Sequence, residues 1–363
     1  MLIPQGPEYL TDEWLTSALQ AYGTITPTTN VASFRTAPLP ETKGVTGQLA
    51  RVTLDFDAPE ASAPRTLIAK FSAADPSIRA SVHTLGFYVR EVNFYQRLAD
   101  RVELRTPRCY YSALDPETGL CVLLLEDLAP ARNGDSMAGC SLTQVESAVA
   151  AIATFHATWW DNPELTGMDW LNQPSEVAIR RTEETYPQIW SAFVQLQGAK
   201  LQSALTSIGE RLGSHFDWLM QRLTEPPVTL VHLDYNPDNL FFATDGSDRL
   251  IAVVDWQMIG RYRGAYDVAH FLVNSVAPES RKAWEIKLLQ MYHSILMDKG
   301  VRGYSFDDAL YDYRLSMLYR LYRVVFILGA VELPADQRAL FSDVALPRIS
   351  AAILDLNVGE LTE

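Results

Sequence analysis

His232-Leu233-Asp234-Tyr235-Asn236-Pro237-Asp238-Asn239 is followed, a few residues on, by Val253-Val254-Asp255-Trp256-Gln257. The first stretch is a His-x-Asp with an Asn five residues after the Asp. The second places a lone carboxylate behind the apolar run Leu250-Ile251-Ala252-Val253-Val254. Phosphoryl transfer from a nucleoside triphosphate needs this inventory. One carboxylate orients an attacking hydroxyl and accepts its proton, while an amide oxygen and a second carboxylate hold the magnesium ions that bridge the phosphates. Asp234 is then the candidate base, with Asn239 and Asp255 as candidate metal ligands. Taken alone, Asn236-Pro237-Asp238 also reads as an ordinary turn, and Asp255 as the cap of one. The apolar run favours the metal, because a carboxylate at the end of a buried strand is costly unless it is paired or metal-bound.

Outward from this segment the texture changes. Leu230–Trp256 reads as loop and short strands, but the rest of the chain beyond about residue 130 is mainly helical. Ser141-Leu142-Thr143-Gln144 reads as a capping box that opens an Ala-rich helix to Trp160. Apolar spacing predicts further helices over Gln188–Thr206, Gly209–Leu223, Ala265–Ser275, Arg281–Lys299 and Asp307–Leu328.

The first third is different. A short helix is expected over Thr11–Ala21, with Thr11 as its cap, and β texture runs from Val31 to Phe71. Two alternating strands lie near Leu49–Phe56 and Thr66–Phe71, a helix near Tyr88–Arg101, and two more strands near Cys109–Ala113 and Cys121–Leu125. Pro130 and the polar residues after it mark a linker.

The 363 residues, 48% of them hydrophobic, suffice for two lobes with a buried core. Thirty basic against 44 acidic side chains give a net charge of −14. That charge argues against nucleic acid or an anionic membrane surface as partner and suits a cationic or neutral small substrate better. Three cysteines without C-x-x-C spacing support neither a disulfide framework nor a zinc site. There is no basic n-region with an apolar run behind it, and no apolar run long enough to span a bilayer, so a soluble cytoplasmic protein is expected.

The His-x-Asp-x-x-x-x-Asn string with its following Asp resembles the aminoglycoside phosphotransferase and choline kinase superfamily, whose fold is similar to that of protein kinases. Asp255-Trp256-Gln257 and His156-Ala157-Thr158-Trp159-Trp160 look most like its ecdysteroid-kinase-like branch. The likeness covers nearly the whole chain. It implies an α+β, two-lobed fold. Residues 1–128 would form a nucleotide-binding lobe with a small antiparallel sheet, and residues 129–363 a helical lobe with the catalytic loop and acceptor site. It also implies ATP or another nucleoside triphosphate and Mg2+ as cofactors.

By that resemblance Asp234 is the base, Asn239 and Asp255 ligate magnesium, and His232 holds the loop. Lys70 is the phosphate-binding lysine and Glu91 its ion-pair partner. Glu126 and Leu128 belong to a hinge whose backbone groups would bind the adenine edge, although a charged strand end entering a linker fits the same letters. Asp267, at a helix start, braces the catalytic loop. Gly44 and Gly47 could bring backbone N–H groups close to phosphates, although two glycines before a strand are also a plain hairpin and the fuller glycine repeat of protein kinases is absent. A lysine on an edge strand is often only a solvated charge, but Ile68-Ala69-Lys70 has the pattern of a buried strand. Arg90, beside Glu91, reads as surface.

His156 reads as a core histidine, and His83, His215, His270 and His293 show no metal-like spacing. Trp159, Trp160, Trp170, Tyr262 and Tyr266 read mainly as core, with a cation-binding cage as the alternative. The resulting expectation is a small-molecule kinase that transfers a γ-phosphoryl group to a hydroxyl. A catalytically silent nucleotide-binding pseudokinase or scaffold of the same fold is the alternative, and it has no need of Asp234. A hydrolase built on His232 and Asp234 lacks a Gly-x-Ser-x-Gly nucleophile. The sequence does not choose the acceptor: acidic residues would suit an amine, and aromatic ones a sterol-like or quaternary amine substrate.

Overall fold

Thr11 opens the first helix as its spacing requires. Its hydroxyl accepts the Trp14 N–H at 3.1 Å, and helix α1 (Asp12–Ala21) buries Leu15, Ala18 and Leu19. The computed structural model describes residues 1–39, 46–58, 63–198 and 201–362. Gly44 lies outside them. Two compact units emerge: Met1–Ala131 with Ala252–Met258, and Arg132–Ile251 with Ile259–Glu363. The stretch around Asp255 therefore belongs with the first unit.

In the first unit, strands β1 (Val31–Pro38), β2 (Gly47–Phe56) and β3 (Thr66–Ser72) are followed by helices α2 (Pro76–Thr84) and α3 (Phe87–Arg97). Strands β4 (Cys109–Leu114) and β5 (Cys121–Glu126) complete it. The sheet is antiparallel in the order β1-β2-β3-β5-β4. Strand β3 is thus interior: Lys70 stands opposite Leu49 on one side and Leu123 on the other. Leu67, Ala69 and Phe71 alternate into the core with Val52, Leu54, Val122 and Leu124. The period of two turns Lys70 to the other face.

Helix α3 ends earlier than its apolar face predicts, and residues Ala99–Arg101 continue as a 3-10 turn. Helix α2 has no strong apolar stripe and was not expected. Asp75 caps it, accepting the N–H groups of Ser77 and Ile78.

The second unit contains the short strand β6 (Arg132–Asn133), then helices α4 (Leu142–Thr158), α5 (Glu176–Gln197), α6 (Ser203–Ser214) and α7 (Phe216–Thr224). Strands β7 (Thr229–Val231), β8 (Leu240–Phe242), β9 (Leu250–Val253) and β10 (Gly260–Tyr262) follow. The chain closes with α8 (Ala265–Ser275), α9 (Pro278–Asp298), α10 (Phe306–Ala330), α11 (Ala335–Ala339) and α12 (Leu346–Asp355). Ser141 makes the expected capping box with Gln144.

Helix α5 begins well before Gln188 and carries Pro187 within it. The helix expected over Gly209–Leu223 is instead two, broken at His215. Gly209 is interior to α6 because Trp190 lies against it: an added Cβ would sit 2.1 Å from the indole. Helix α10 packs on α5 and α8 and forms the spine of this unit. Strand β10 pairs antiparallel with β7, which fixes the entry to the His232 segment. Among the described residues no helix is long and apolar enough to cross a membrane.

Candidate active-site residues

In the first unit Lys70 joins two carboxylates. Its Nζ lies 2.7 Å from Glu91 of α3 and 2.7 Å from Asp255 Oδ1. Glu91 is buried and Lys70 nearly so, whereas Asp255 keeps a quarter of its side-chain surface. Burial works against the Lys70 charge, but Asp255 and Glu91 outweigh it and raise its pKa above the ordinary lysine range. Burial likewise presses the Glu91 carboxyl upward; Lys70 opposes this and Asp255 adds to it. Two carboxylates thus share one ammonium, and the more deeply buried one pays in proton affinity.

Asp255 itself is tightly framed. Val253 donates its N–H to Arg105 O at 3.0 Å, and Trp256 stacks on Phe94 with centroids 3.9 Å apart. Gln257 Nε2 donates to Asp255 Oδ2 at 3.1 Å. Arg90 corrects the surface expectation: it is buried, donating through Nε to Gln257 O at 2.8 Å and through Nη2 to Leu85 O. An Arg among carbonyls beside a Glu reads as solvated in sequence, because its acceptors are backbone atoms that leave no trace there. Asp255 adopts φ +65°, a left-handed conformation for a non-glycine residue that the surrounding contacts must enforce.

Gly47 pairs with Ser72 at the start of β2, where an added Cβ would lie 2.5 Å from Phe71 O, so close strand packing requires a glycine there. At the end of β5, Glu126 accepts Arg105 at 2.7 Å and the Arg108 N–H at 3.1 Å, and its own N–H donates to Arg108 O. Leu128 O accepts from Ala131, while the Leu128 N–H has no partner among the described residues.

In the second unit the loop after β7 gathers His232, Asp234, Asn239 and Asp267. Asp267, in the first turn of α8 and fully buried, accepts the His232 N–H at 2.7 Å and the Leu233 N–H at 2.9 Å. His156 Nε2 lies 3.2 Å from the same carboxylate, and its Nδ1 meets the Tyr292 hydroxyl at 2.9 Å, so His156 is a satisfied core histidine. His232 Nδ1 is 3.3 Å from the Asp234 N–H. Leu233 has φ +64°, strained for a branched side chain.

The turn read from Asn236-Pro237-Asp238 is present. Asn236 Oδ1 accepts the Asp238 N–H, while Asn239 Nδ2 donates to Asp234 O at 2.9 Å and to Asp234 Oδ2 at 3.1 Å. That leaves the Asn239 amide oxygen without a hydrogen bond among the described residues.

Three nearby residues had no signal in the sequence. His270 Nε2 approaches Asp234 Oδ1 at 3.5 Å without forming a well-aligned hydrogen bond. Burial, reinforced by Arg320, pushes His270 down to about 3, so it faces Asp234 as neutral imidazole. Arg323 donates to Leu233 O at 2.8 Å and to the Tyr266 hydroxyl at 2.9 Å. Burial presses the Asp234 carboxyl upward, but His270 and then Arg323 outweigh it and hold it well below the usual carboxylate range. Asp234 is therefore ionised at neutral pH. Of the aromatic residues considered for a cage, Trp159, Tyr262 and Tyr266 are buried in the core.

Asp255 in the first unit and Asn239 in the second each offer hard oxygen donors: Asp255 is paired with Lys70 and Gln257 but keeps a quarter of its side-chain surface, and the Asn239 amide oxygen accepts no hydrogen bond among the described residues. That fits Mg2+, which takes few protein ligands and fills the rest of its shell with phosphate oxygens and water. Among the described residues no cluster of three or more His, Cys, Asp or Glu side chains could hold a metal ion.

The fold has many solved counterparts. A Ralstonia eutropha JMP134 protein assigned to the aminoglycoside phosphotransferases aligns with TM-score 0.55 at 16% identity, covering 95% of this chain and 98% of its own. The GDP complex of aminoglycoside 2′-phosphotransferase-IIIa gives 0.54 at 11% identity, covering 94% and 100%. A Plasmodium vivax ethanolamine kinase gives 0.50 at 12%, covering 96% and 89%. No curated protein sequence matches the chain. These likenesses establish the two-part kinase-like α+β fold, and the match of residues 42–301 shows that the chain belongs to the ecdysteroid kinase-like family.

Proposed function

We propose that the chain is a phosphotransferase that moves the γ-phosphoryl group of ATP or another nucleoside triphosphate to a hydroxyl of a small molecule. The observation that carries this reading is the ionised Asp234, set by Asn239 on a strained loop that Asp267 pins through two backbone N–H groups. Asp234 orients the acceptor hydroxyl and takes its proton as the new O–P bond forms and the bond from the γ-phosphorus to the bridging oxygen breaks, releasing the nucleoside diphosphate. Lys70 neutralises phosphate charge, and Glu91 keeps the ammonium extended from β3. The free Leu128 N–H serves the adenine edge, with Glu126 anchoring the strand end beside it. Bound Mg2+, held by Asn239 and Asp255, would neutralise the charge on the phosphates. In this reading the backbone at Gly47, at the start of β2, would approach the phosphates.

Calorimetry with ATP and GTP, with and without magnesium, tests the first step, and phosphoryl transfer to a panel of alcohols, amino sugars, choline analogues and sterols tests the second. Asp234→Ala should abolish transfer and leave nucleotide affinity largely intact. Absence of magnesium-dependent nucleotide binding would overturn the reading. Binding without transfer to any acceptor would favour the silent, nucleotide-binding alternative.

A further inference from the structure

Beside Asp234, wholly within the second unit, lies a cavity of about 240 Å³. Its polar side carries Arg320, Arg323 and Arg348 against only Asp234 and Asp238. In a chain of net charge −14 this is a local reversal of sign. Asp238 is already satisfied by Ser136, whose hydroxyl donates to it at 2.7 Å.

The three guanidinium groups have no carboxylate within ion-pair reach among the described residues. Arg323 binds Leu233 O and the Tyr266 hydroxyl, and Arg348 binds Ser136 O and Asn274 O at 2.8 and 2.7 Å. Arg320 is only 4% exposed, its Nε has no hydrogen-bond partner, and its Nη2 reaches Asn274 Oδ1 only at 3.5 Å. Burial works against the Arg320 cation and outweighs Tyr266 and the charge of Asp234, which favour it; a buried guanidinium whose Nε has no partner is costly unless something completes it.

The opposite wall is apolar. Val324 and Ile327 of α10 face Leu340, Phe341 and Val344 of the π-helical turn Leu340–Ala345 that joins α11 to α12. Such turns widen a helix locally and recur at ligand sites. A ligand here therefore meets cations at one end and hydrocarbon along its body.

We propose that the acceptor is an organic anion: a hydroxyl-bearing molecule with an apolar body along Val324, Ile327 and Phe341 and a carboxylate seated on Arg320, flanked by Arg323 and Arg348. This rests on the reading of Asp234 as the group that orients the hydroxyl. It reverses the preference for a cationic or neutral substrate that net charge alone suggests, because a fork of N–H donors selects a planar anion whatever the charge of the distant surface.

The test uses four probes of similar length that carry the hydroxyl near the charged end and differ in that end's charge: 3-hydroxydecanoate, its methyl ester, 1,3-decanediol and 1-aminodecan-3-ol. Binding to the full chain is measured by calorimetry, with and without magnesium nucleotide. The acid is expected to bind about tenfold or more tighter than the other three, one such step being the worth of a single charged hydrogen bond. Arg320→Gln should collapse that preference and leave nucleotide affinity unchanged, Arg320→Lys should retain part of it, and Arg348→Gln, at a half-exposed position, should weaken it in a chain whose melting confirms folding. Failure of the acid to bind, or equal or tighter binding of the ester, diol or amino alcohol, overturns the proposal. So does an Arg320→Gln variant that loses nucleotide but keeps the acid, which would mark a nucleotide-phosphate site. If nucleotide binding fails while the acid is still preferred, it is the phosphotransferase reading that falls.

Discussion

Asp267 Oδ1 accepts the backbone N–H of Leu233 at 2.9 Å, while Arg323 donates to the carbonyl of the same residue at 2.8 Å. Leu233 is thus clamped on both sides at φ +64°. The strain is maintained by two charged groups from different helices, and it sets the backbone that leads to Asp234. Asp267→Asn keeps the size but replaces one acceptor oxygen with an NH2 that clashes with a buried N–H donor. Stability should fall by about 2–4 kcal/mol, the cost of one or two charge-assisted bonds lost in the interior. Urea unfolding measures this; transfer activity should fall further than nucleotide affinity. Equal loss of both would show that Asp267 supports the fold without positioning Asp234.

Among the described residues Lys70 is the cation that pairs with both Glu91 and Asp255. Lys70→Met leaves the two carboxylates facing each other with no ammonium and removes the positive charge offered to the phosphates. Turnover should drop about 100-fold or more, in the range seen when a preorganised charge partner is lost. Steady-state kinetics with the best acceptor of the alcohol panel measures it, and unchanged turnover would remove Lys70 from the mechanism.

Much of this was readable because the chemistry is local in sequence. His232, Asp234 and Asn239 lie within one short segment, and Lys70 and Glu91 lie on a strand and a helix 21 residues apart whose periodicities of two and 3.6 can be read from the sequence. The strands of the first third and the helical character of the rest follow from the same periodicities, whereas the order of the strands in the sheet does not.

What could not be read was set by distant packing. Arg323 meets Leu233 across 90 positions, and His270 and Arg320 reach the same cavity from helices that look like ordinary apolar stripes with a polar residue. Arg90 reads as surface in the sequence because its partners are backbone carbonyls. Helix α5 runs through Pro187, a residue that by itself favours a helix boundary, so its start at Glu176 is not legible from apolar spacing. Gly209 sits inside α6 because the Trp190 ring leaves no room for a Cβ, a constraint invisible before the fold is known.

Gly264 precedes α8 at a comparable pinch. A Cβ there would lie 2.5 Å from the Tyr292 hydroxyl and 2.9 Å from His156 Nδ1, the pair that orients Asp267. Gly264→Ala should therefore cost about 1–3 kcal/mol through overpacking and shift His156 off the Asp267 carboxylate. The melting temperature should fall, and kcat should fall with nucleotide affinity retained. A variant with wild-type melting and kcat would show that the pair yields without consequence.

Asp312 of α10 is buried, accepting the Tyr304 hydroxyl at 2.9 Å and Arg263 Nη1 at 3.3 Å. Burial is the largest influence and pushes its carboxyl up to about 6, against the pull of Arg263 and Tyr304. The native chain therefore keeps a proton that the unfolded chain, with an ordinary aspartate near ~4, has already released. Between those values the native state binds more protons, so this residue's contribution to stability is full at the acid end and is lost as pH rises toward 6. Asp312→Asn cannot titrate. Relative to wild type it should gain about 2–3 kcal/mol as pH rises from 4 to 7, on top of a constant offset from the altered Arg263 contact. Urea unfolding of both proteins at intervals across that range measures the difference. A gap that stays constant with pH would mean that Arg263 keeps Asp312 ionised throughout, and that the buried pair is an ordinary salt bridge.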